Sequence, residues 1–439
     1  MSQADKRVGV VGAGITGLSL VHYLTRGGVD VTAFEADEEP GGVINSKEVN
    51  ETVIEVGPQR LRLTDQIREM INELNINEEL LLADDDLPLY VYSDGRLRIV
   101  PRSIKAFLAT DLLSWSAKLR LLKEPFTEIA SPSESAKDMF VRKFGSETYE
   151  NLIEPVFGGT YGSDPAEMPV RHSLRSIQRI EQKHGNLLKP AIKRFVSGSS
   201  SSPPATFRKG LQRLPSALAE EYSDQIQFGS EVTSVRPVSG GATVEIADGT
   251  TEEFDEVILT TPAQPTASIV ESISQTSANA LRELNYNPIV LAYLSSPANV
   301  NGFGYQVRRS EPLRTLGVTW NASLFNRDNI FTAFLGGMYD PEILDLPEER
   351  IGQIATREFK EVMNESASVI RVEKLPDCLP AHDDTWDGLE RVDLPDNIQL
   401  ATNYTSRMGI PSRVRESQRL AQRIANGQDK TRGSHSNTA

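Results

Sequence analysis

The chain has 439 residues, which exceeds one ordinary hydrophobic core and predicts two or three domains. Its 61 acidic and 46 basic residues give a formal net charge of −15, which argues against nucleic acid as a partner because phosphate binding needs a basic surface. The single cysteine, Cys378, excludes an internal disulfide, argues against a cysteine-based zinc site and favours a reducing compartment.

The N-terminal sequence is polar and leads directly into a strand pattern, so we expect no signal peptide. No apolar run approaches the roughly 20 residues that a membrane-spanning helix needs. We therefore predict a cytoplasmic protein that is soluble, or at most peripheral to the inner face of a membrane.

Residues 7–35 are predicted to form a strand, a glycine turn, a helix and a second strand. The turn VGAGITG places Gly12, Gly14 and Gly17 in the spacing G-x-G-x-x-G. Gly14 would let the backbone approach a pyrophosphate, and the N-terminus of the helix would offer unpaired N–H groups and a positive dipole. Glu35, at the end of the second strand, would accept hydrogen bonds from a ribose diol. We interpret the segment as a dinucleotide site, with a glycine turn of some other α/β fold as the alternative.

A second glycine pair distinguishes between dinucleotides. Gly41 and Gly42 follow shortly after Glu35, and IEVGP ends with Gly57 and Pro58. This arrangement resembles the second half of an FAD fingerprint, which NAD enzymes do not need. The predicted cofactor is FAD.

The rest of the chain alternates helical and β-rich segments. Apolar residues at helical spacing predict helices over about 64–84 and about 102–153. The further predictions are a flexible loop at 197–204, strands over 225–263 and 285–340, a strand, glycine turn and helix after 397, and a disordered tail at 428–439.

The stretch IEPVFGGTYGSDPAEMPV (153–170) contains Gly158, Gly159 and Gly162. It follows a predicted helix, and no lysine or capping hydroxyl opens a helix directly after its glycines, which argues against a second phosphate loop. We interpret it as a turn that joins a helical domain to a substrate domain, with direct contact to the substrate as the alternative.

Together these motifs resemble the glycine-doublet flavoproteins of the amine oxidase superfamily. Three further segments, ESAKDMFVRKFGSETYENLIEPVFGGTYGSDPAEM (134–168), TTPA (260–263) and NYTSRMGIP (403–411), resemble the protoporphyrinogen oxidase family in particular. The resemblance covers nearly the whole chain and is weaker from 264 to 390.

The resemblance implies a set of residues that contact FAD. These are Gly12, Ala13, Gly14, Ile15, Thr16 and Gly17 at the pyrophosphate, Glu35 at the ribose, Gly42 and Val43 along the dinucleotide, Gly57, Pro58 and Gln59 at the flavin ring, Val232 at the adenine, and Met408, Gly409 and Ile410 at the far edge of the flavin. The chain departs from the family pattern at Thr402, where glycine is usual, at Ser412, where an acidic residue is usual, and at Glu416–Ser417, which replace a usual Ser–Gly pair.

The activity that the resemblance implies is oxidation of protoporphyrinogen IX to protoporphyrin IX, with oxygen as electron acceptor, in haem-type tetrapyrrole synthesis. Coproporphyrinogen III is the alternative substrate within this class. An amine oxidase or carotenoid desaturase and a non-catalytic FAD-binding protein are the alternatives outside it, and a homodimer is left open. We assign no catalytic residue and no metal site, because none of the five histidines pairs with another at a ligand spacing.

The predicted fold class is α/β with additional helices. A discontinuous Rossmann-like FAD domain takes 1–62, 205–265 and 388–427, because both terminal glycine motifs and the 225–263 strands must reach one cofactor. A β-rich substrate domain takes 63–102 and 266–387, and a helical domain takes 103–196.

The substrate of the resembling family is flat, apolar on its faces and carboxylated at its rim, which implies an apolar pocket with a few cations. Candidate wall residues are Tyr305, Phe331 and Phe334, with ordinary core packing as the alternative for each. The family often has an arginine near the position of Leu87 that grips a propionate. This chain has none there, and the candidates to replace it are Arg60, Arg62, Arg96 and Arg98.

Residues 103–126 combine apolar side chains at helical spacing with four basic ones. Such a segment lies in a membrane interface or packs against its own domain. Packing against its own domain is the commoner outcome for such a segment. The resemblance implies that relatives are often membrane-associated through this region, so both interpretations stay open.

Overall fold

The computed structural model describes residues 6–84, 86–197, 202–327 and 329–428. Residues 198–201 of the predicted flexible loop lie outside the described residues. So do residues 429–439 of the predicted tail, together with His435.

The β-strands, in chain order, are β1 Arg7–Val11, β2 Asp30–Phe34, β3 Ser46–Val49, β4 Thr52–Glu55, β5 Leu61–Arg62, β6 Leu80–Leu82, β7 Leu89–Ser93, β8 Arg96–Ile99, β9 Pro204–Phe207, β10 Ile226–Gln227, β11 Val232–Val238, β12 Gly241–Ile246, β13 Thr251–Phe254, β14 Glu256–Leu259, β15 Tyr286–Ser295, β16 Gly304–Val307, β17 Thr315–Thr319, β18 Ile330–Gly336, β19 Ser368–Pro380 and β20 Ile398–Leu400.

The α-helices are α1 Ile15–Arg26, α2 Asp65–Glu73, α3 Ile104–Ala109, α4 Trp115–Arg120, α5 Ala136–Phe144, α6 Ser146–Thr148, α7 Glu154–Tyr161, α8 Val170–Ser173, α9 Arg175–His184, α10 Leu188–Ser197, α11 Arg213–Glu221, α12 Ala263–Val270, α13 Gln275–Arg282, α14 Asn321–Phe325, α15 Glu348–Met363 and α16 Ile410–Ala425. A π-helix at Tyr149–Ile153 joins α6 to α7.

Contacts between residues divide the chain into two compact units. The first unit comprises Met1–Leu82, Ser202–Leu284 and Asp387–Ala439, and the second comprises Ala83–Ser201 and Asn285–Trp386. These boundaries differ from the predicted ones in two respects. Residues 63–82 and 266–284 belong with the glycine motifs, and the helical segment 103–196 shares one unit with the β-rich segment.

The first unit is built on a five-stranded parallel sheet with the order β10-β2-β1-β14-β20. The central strands are apolar on both faces, and Val8, Val10 and Ile258 are fully buried. Parallel strands are apolar on both faces because helices cover both faces of the sheet. Smaller antiparallel sheets, β11-β12-β13, β3-β4 and β5-β9-β6, complete the unit.

The second unit is built on a seven-stranded sheet with the order β19-β15-β18-β17-β16-β7-β8. Its pairs are antiparallel except for β16 with β7, which run parallel. One face packs on α15, where the Phe331 and Phe359 ring centroids are 5.0 Å apart.

The glycine-rich stretch that we predicted as a turn is mostly helix. Helix α7 runs from Glu154 to Tyr161, and the left-handed Gly162, with φ +60°, ends it. A Cβ on Gly159 would lie 1.9 Å from Gln306 Oε1 of β16, so the glycine permits a close helix-to-strand contact. This packing overrides the low intrinsic helix propensity of glycine, and the predicted turn is confined to the residues after Tyr161.

A buried ion pair organises the helices of the second unit. Lys143 of α5 and Glu181 of α9 are both fully buried, and the Lys143 ammonium donates to the Glu181 carboxylate. Lys143 Nζ also donates to the Glu128 carbonyl at 3.0 Å. Glu124 Oε1, which is also fully buried, lies 3.9 Å from Lys143 Nζ. Removing Lys143 would leave both carboxylates buried without their cation, which is strongly destabilising.

Among the residues that the structure describes, no helix is both long and apolar enough to cross a bilayer.

Candidate functional site

The loop between β1 and α1 is shaped by glycines that the backbone itself requires. Gly12 has φ +102°, a conformation that L-residues with side chains rarely adopt. A Cβ on Gly17 would lie 1.9 Å from the Gly12 carbonyl oxygen. Thr260, directly after β14, supports the same turn, because its hydroxyl donates to the Val11 carbonyl at 2.8 Å.

Two other glycines begin helices, and protein packing does not require either of them. Gly14 is the N-cap of α1 with φ −70°, and its Cβ would meet no protein atom closer than the Gly41 oxygen at 4.0 Å. Gly409 is the N-cap of α16 with φ −65°, and its Cβ would meet only Pro411 Cδ at 4.0 Å. Each of these helix N-termini therefore has unpaired N–H groups with open space beside them. Such space would let a dinucleotide and its flavin ring approach the backbone closely.

Glu35 lies next to the glycine loop. Its Oε2 accepts a hydrogen bond from Ala13 N–H at 2.5 Å, and its Oε1 accepts one from Asp37 N–H at 3.1 Å. The carboxylate therefore lies beside the glycine loop. A dinucleotide whose pyrophosphate binds to this loop would place a ribose diol next to the carboxylate.

The second glycine pair contacts the first. Gly41 N–H donates to the Ala13 carbonyl at 2.9 Å, and Gly41 forms an isolated parallel bridge with Gly14. A Cβ on Gly57 would lie 2.0 Å from the Val43 oxygen, so Gly57 is required by this packing as well.

The Gln59 side chain is turned towards the main chain. Its Nε2 donates to the Glu55 and Gly57 carbonyls at 2.9 and 3.1 Å. The Gln59 side chain is therefore engaged in fixing the Gly57–Pro58 turn, and the approach of Gln59 to the flavin ring stays a prediction.

The second turn of α16 is tied to the start of α1. Ser417 Oγ donates to the Thr16 carbonyl at 3.0 Å. The first unit contains all the predicted cofactor residues, and their contact with FAD stays a prediction: Gly12, Ala13, Gly14, Ile15, Thr16, Gly17, Glu35, Gly42, Val43, Gly57, Pro58, Gln59, Val232, Met408, Gly409 and Ile410.

Sequence reasoning missed Arg413. It lies on the buried face of α16 with Ile410, Val414 and Ser417, and only 2% of it is exposed. The signal was present, since an arginine at an apolar position of a helical pattern indicates a buried charge with partners.

The arginines that we considered for a substrate carboxylate are already engaged. Arg96 bonds Asp111 at 2.7 Å, and Arg98 bonds Ser93 Oγ at 2.6 Å and Asp94 at 2.7 Å.

The other two candidates lie in the first unit. Arg62 donates to the Ser202 carbonyl at 3.0 Å. Burial lowers the pKa of Arg60 to about 10, which leaves its guanidinium charged at neutral pH.

Two of the three aromatic candidates for a substrate wall belong to the core. Tyr305 is 1% exposed and Phe331 is fully buried, and both pack on the α15 side of the sheet. Phe334 is half-buried and lies on the opposite face, because strand residues alternate. Gln306 shares that face, which α7 covers.

Buried histidines are present in both units. Burial lowers the pKa of His22 to about 4, and Tyr222 Oη lies 2.9 Å from its Nδ1. Burial also lowers the pKa of His382 to about 4, and its ring lies 5.8 Å from the Tyr161 ring. No group of three His, Cys, Asp or Glu side chains able to hold a metal occurs within the described ranges.

A carboxyl with a raised pKa lies at the start of α7. Burial, and then the negative charge of Asp164, raise the pKa of Glu154. Tyr149 Oη lies 3.5 Å from Glu154 Oε1. The sequence did not indicate this pair of a carboxyl and a phenolic hydroxyl.

Two curated proteins are similar to this chain over most of its length. Protoporphyrinogen oxidase 1 of the Spinacia oleracea chloroplast is 26% identical over 454 aligned positions, which cover 91% of this chain and 81% of the relative. Coproporphyrinogen III oxidase of Bacillus subtilis strain 168 is 26% identical over 400 positions, which cover 83% and 84%.

Solved structures share the fold. A candidate protoporphyrinogen oxidase from Exiguobacterium sp. 255-15 has a TM-score of 0.78 at 20% identity, over 97% of this chain and 99% of that one. Putrescine oxidase bound to putrescine has a TM-score of 0.71 at 16% identity, over 96% and 99%.

The chain also matches, over residues 15–425, the family described as flavin containing amine oxidoreductase. The family match, together with the glycine loop and Glu35, identifies FAD as the cofactor and an oxidoreductase as the class of enzyme. The chain therefore belongs to the flavin-containing amine oxidoreductase family.

Proposed function

We propose that this enzyme oxidises protoporphyrinogen IX to protoporphyrin IX. The observation that carries the proposal is the extent of the likeness to the plant enzymes, which takes in 91% of the chain and so includes most of the second unit as well as the FAD segments. Coproporphyrinogen III is the second candidate, because coproporphyrinogen oxidases are nearly as similar.

In this proposal the predicted residues of the first unit hold FAD. The N-termini of α1 and α16 supply N–H groups and positive dipoles, and Glu35 accepts from a ribose. When bound, the flavin supplies a two-electron acceptor for a carbon of the substrate, and oxygen is the proposed final acceptor. Three such oxidations remove six electrons and six protons, and three oxygen molecules become three molecules of peroxide.

The substrate-binding segments are proposed to be 83–102 and 285–386 of the second unit, with α7 as part of the wall. Gly158 supports this placement, because a Cβ there would meet no atom within 4 Å beyond the backbone of its own helix. A glycine that packing does not require is suited to the close approach of a flat ligand. Phe334 supplies a half-buried aromatic surface in the same unit.

The charge distribution favours the substrate with fewer carboxylates. Coproporphyrinogen III carries four propionates and protoporphyrinogen IX carries two, so the former needs a more basic rim. Arg96, Arg98 and Arg308 are each paired with Asp94 or Asp111, which reduces the positive charge that they can present.

An amine oxidase is less well supported. Such an enzyme would need an aromatic cage near the flavin, and the nearby tyrosine, Tyr404, is 2% exposed and donates to Thr266 Oγ1 at 2.9 Å.

A direct test is anaerobic titration of the FAD-loaded protein while its visible absorption is recorded. We expect protoporphyrinogen IX to bleach the flavin band and putrescine to leave it unchanged. Bleaching by putrescine alone would replace the proposal with amine oxidation. Bleaching by neither would contradict the proposal for protoporphyrinogen IX and would leave coproporphyrinogen III oxidation or a non-catalytic FAD-binding protein.

We also propose that the segment 103–126 contacts a membrane surface. Trp115 is 66% exposed and Phe126 is 89% exposed, and Leu119 and Leu122 are nearly as open. Exposed apolar side chains clustered in one segment mark an interaction surface.

Two of the four basic residues in this segment are used within the fold. Lys118 Nζ donates to the Leu108 and Thr110 carbonyls at 2.9 and 2.7 Å, and Arg120 donates to the Arg142 carbonyl at 2.7 Å. The proposed contact is therefore mainly apolar.

Sedimentation with phosphatidylcholine vesicles tests this contact. We expect Phe126→Ser to reduce the bound fraction and Ile180→Ser, at a residue that is also exposed but lies in α9, to leave it unchanged. Equal binding by both variants and the wild type would contradict the contact.

A further inference from the structure

The loop of residues 402–409 precedes α16 and is held by side chains. Thr402 N–H donates to Thr405 Oγ1 at 3.1 Å, and Thr405 N–H donates to Thr402 Oγ1 at 3.3 Å. The Tyr404 hydroxyl donates to Thr266 Oγ1 at 2.9 Å. The conformation of this loop therefore depends on a small number of polar side chains.

Arg413 joins the two ends of this loop from the first turn of α16. Its Nε donates to the Arg407 carbonyl at 2.8 Å, and its Nη1 donates to the Thr402 carbonyl. Only 2% of the residue is exposed, so these carbonyls replace water as the partners of the guanidinium. One buried side chain thus fixes carbonyls that are five residues apart.

Glu416 supplies the opposite charge. Its carboxylate accepts from Arg413 Nη2 and from the hydroxyl of Ser406, which is also in the loop. A buried guanidinium without such a partner would be strongly unfavourable. Thr402 and Glu416, two of the departures from the family pattern, are thus both bonded to Arg413.

We propose that Arg413, paired with Glu416, is a positioning residue for FAD. It fixes the 402–409 loop so that Met408 and Gly409 meet the flavin at the N-terminus of α16. The donors of Arg413 point to the loop carbonyls and to Glu416, so its effect reaches the cofactor through the loop. The inference rests on the proposed placement of Met408, Gly409 and Ile410 at the flavin.

The test is the dissociation constant of FAD for the full-length apoprotein, measured by quenching of flavin fluorescence, with the visible circular dichroism of the bound flavin as a second readout. We expect Arg413→Gln to weaken FAD binding at least about tenfold, the effect of losing hydrogen bonds from a buried charged group, and to change the visible dichroism. Glu416→Gln should act in the same direction with a smaller loss. Arg419→Gln, an exposed site on the same helix, should match the wild type.

Wild-type affinity and an unchanged dichroic spectrum in both Arg413→Gln and Glu416→Gln would overturn the inference. So would an equal loss in Arg419→Gln. If Arg413→Gln does not fold, Glu416→Gln decides, since it keeps the size of the side chain. Failure of the proposed porphyrinogen oxidation is distinguishable, because FAD binding is measured without substrate.

Discussion

The chain contains two glycine-rich segments of similar composition, residues 12–17 and 158–162, and the structure uses them differently. The first forms a loop that follows a strand and begins a helix. The second lies within α7 and ends it at Gly162. The first thus exposes N–H groups at the beginning of a helix, and the second allows a helix to pack closely on a strand.

The difference comes from the neighbouring residues. In the first segment Gly12 and Gly17 are fixed by backbone contacts, and Gly14 is left open. In the second segment Gly159 is fixed by Gln306, and Gly158 is left open. Each segment therefore contains structural glycines and one glycine that packing does not require, and the latter marks where a ligand is expected.

The largest effect is expected at Gly17. A Cβ in Gly17→Ala would lie 1.9 Å from the Gly12 carbonyl oxygen, and backbone cannot move aside cheaply. We expect a loss of more than about 4 kcal/mol in the stability of the first unit and no FAD binding, measured by thermal unfolding and flavin fluorescence. A folded variant that binds FAD normally would contradict the packing described for this loop.

Gly14→Ala should separate binding from folding. Its φ of −70° suits alanine, and the new methyl group would meet no protein atom within 4 Å apart from the Gly41 oxygen at that distance. We expect apoprotein stability within about 0.5 kcal/mol of the wild type and a roughly hundredfold rise in the FAD dissociation constant. Equal stability losses in Gly14→Ala and Gly17→Ala would remove the distinction between the two glycines.

The surroundings of the second segment should be sensitive to acid. Because burial lowers the pKa of His382 from 6.5 to about 4, the fold favours the neutral ring, and its stabilisation is complete above pH 6.5. As the pH falls from 6.5 to about 4, up to about 3 kcal/mol is lost.

His382→Asn removes this titration and keeps a residue that tolerates the φ of +55° at this position. We expect the thermal midpoint of this variant to fall less between pH 6.5 and 4 than that of the wild type. Parallel pH profiles would show that His382 titrates normally. The midpoint at pH 7 serves as the control for lost packing against Tyr161.

The smallest effect is expected at Gly158. Gly158→Ala fills open space inside a helix and should stabilise the second unit by about 0.5–1 kcal/mol, because alanine loses less backbone freedom. If the substrate lies against α7, the same change raises KM for the porphyrinogen several-fold. Gly159→Ala is the matched control, since its methyl group would clash with Gln306 and lower stability. A stabilised Gly158→Ala variant with unchanged KM would place the substrate elsewhere.

The nucleotide loop could be predicted from the sequence because it is determined locally. The strand, the spacing of Gly12, Gly14 and Gly17, the helix and Glu35 all fall within one short segment, and the structure has each element where it was expected. The parallel strands of the first unit follow from apolar runs of the kind that helices cover on both faces.

Other features depend on contacts between distant residues and could not be predicted in this way. Helix α7 forms despite its glycines because Gln306, far along the chain, packs against Gly159. Tyr305 and Phe331 are aromatic residues of the kind that can line a substrate pocket. Their positions in the sheet, however, place their side chains on the face that packs on α15. The partners of Arg413 are loop carbonyls, which no side-chain pattern reveals.

The central claim is that the chain oxidises a porphyrinogen with FAD. The most direct test is aerobic porphyrin fluorescence with the purified, FAD-loaded protein and separate samples of protoporphyrinogen IX and coproporphyrinogen III. We predict fluorescence that rises well above autoxidation with peroxide formed alongside, and faster with protoporphyrinogen IX. No rise with either substrate in a protein that carries bound FAD would contradict the claim for oxygen as acceptor, and faster turnover of coproporphyrinogen III would reverse the proposed substrate preference.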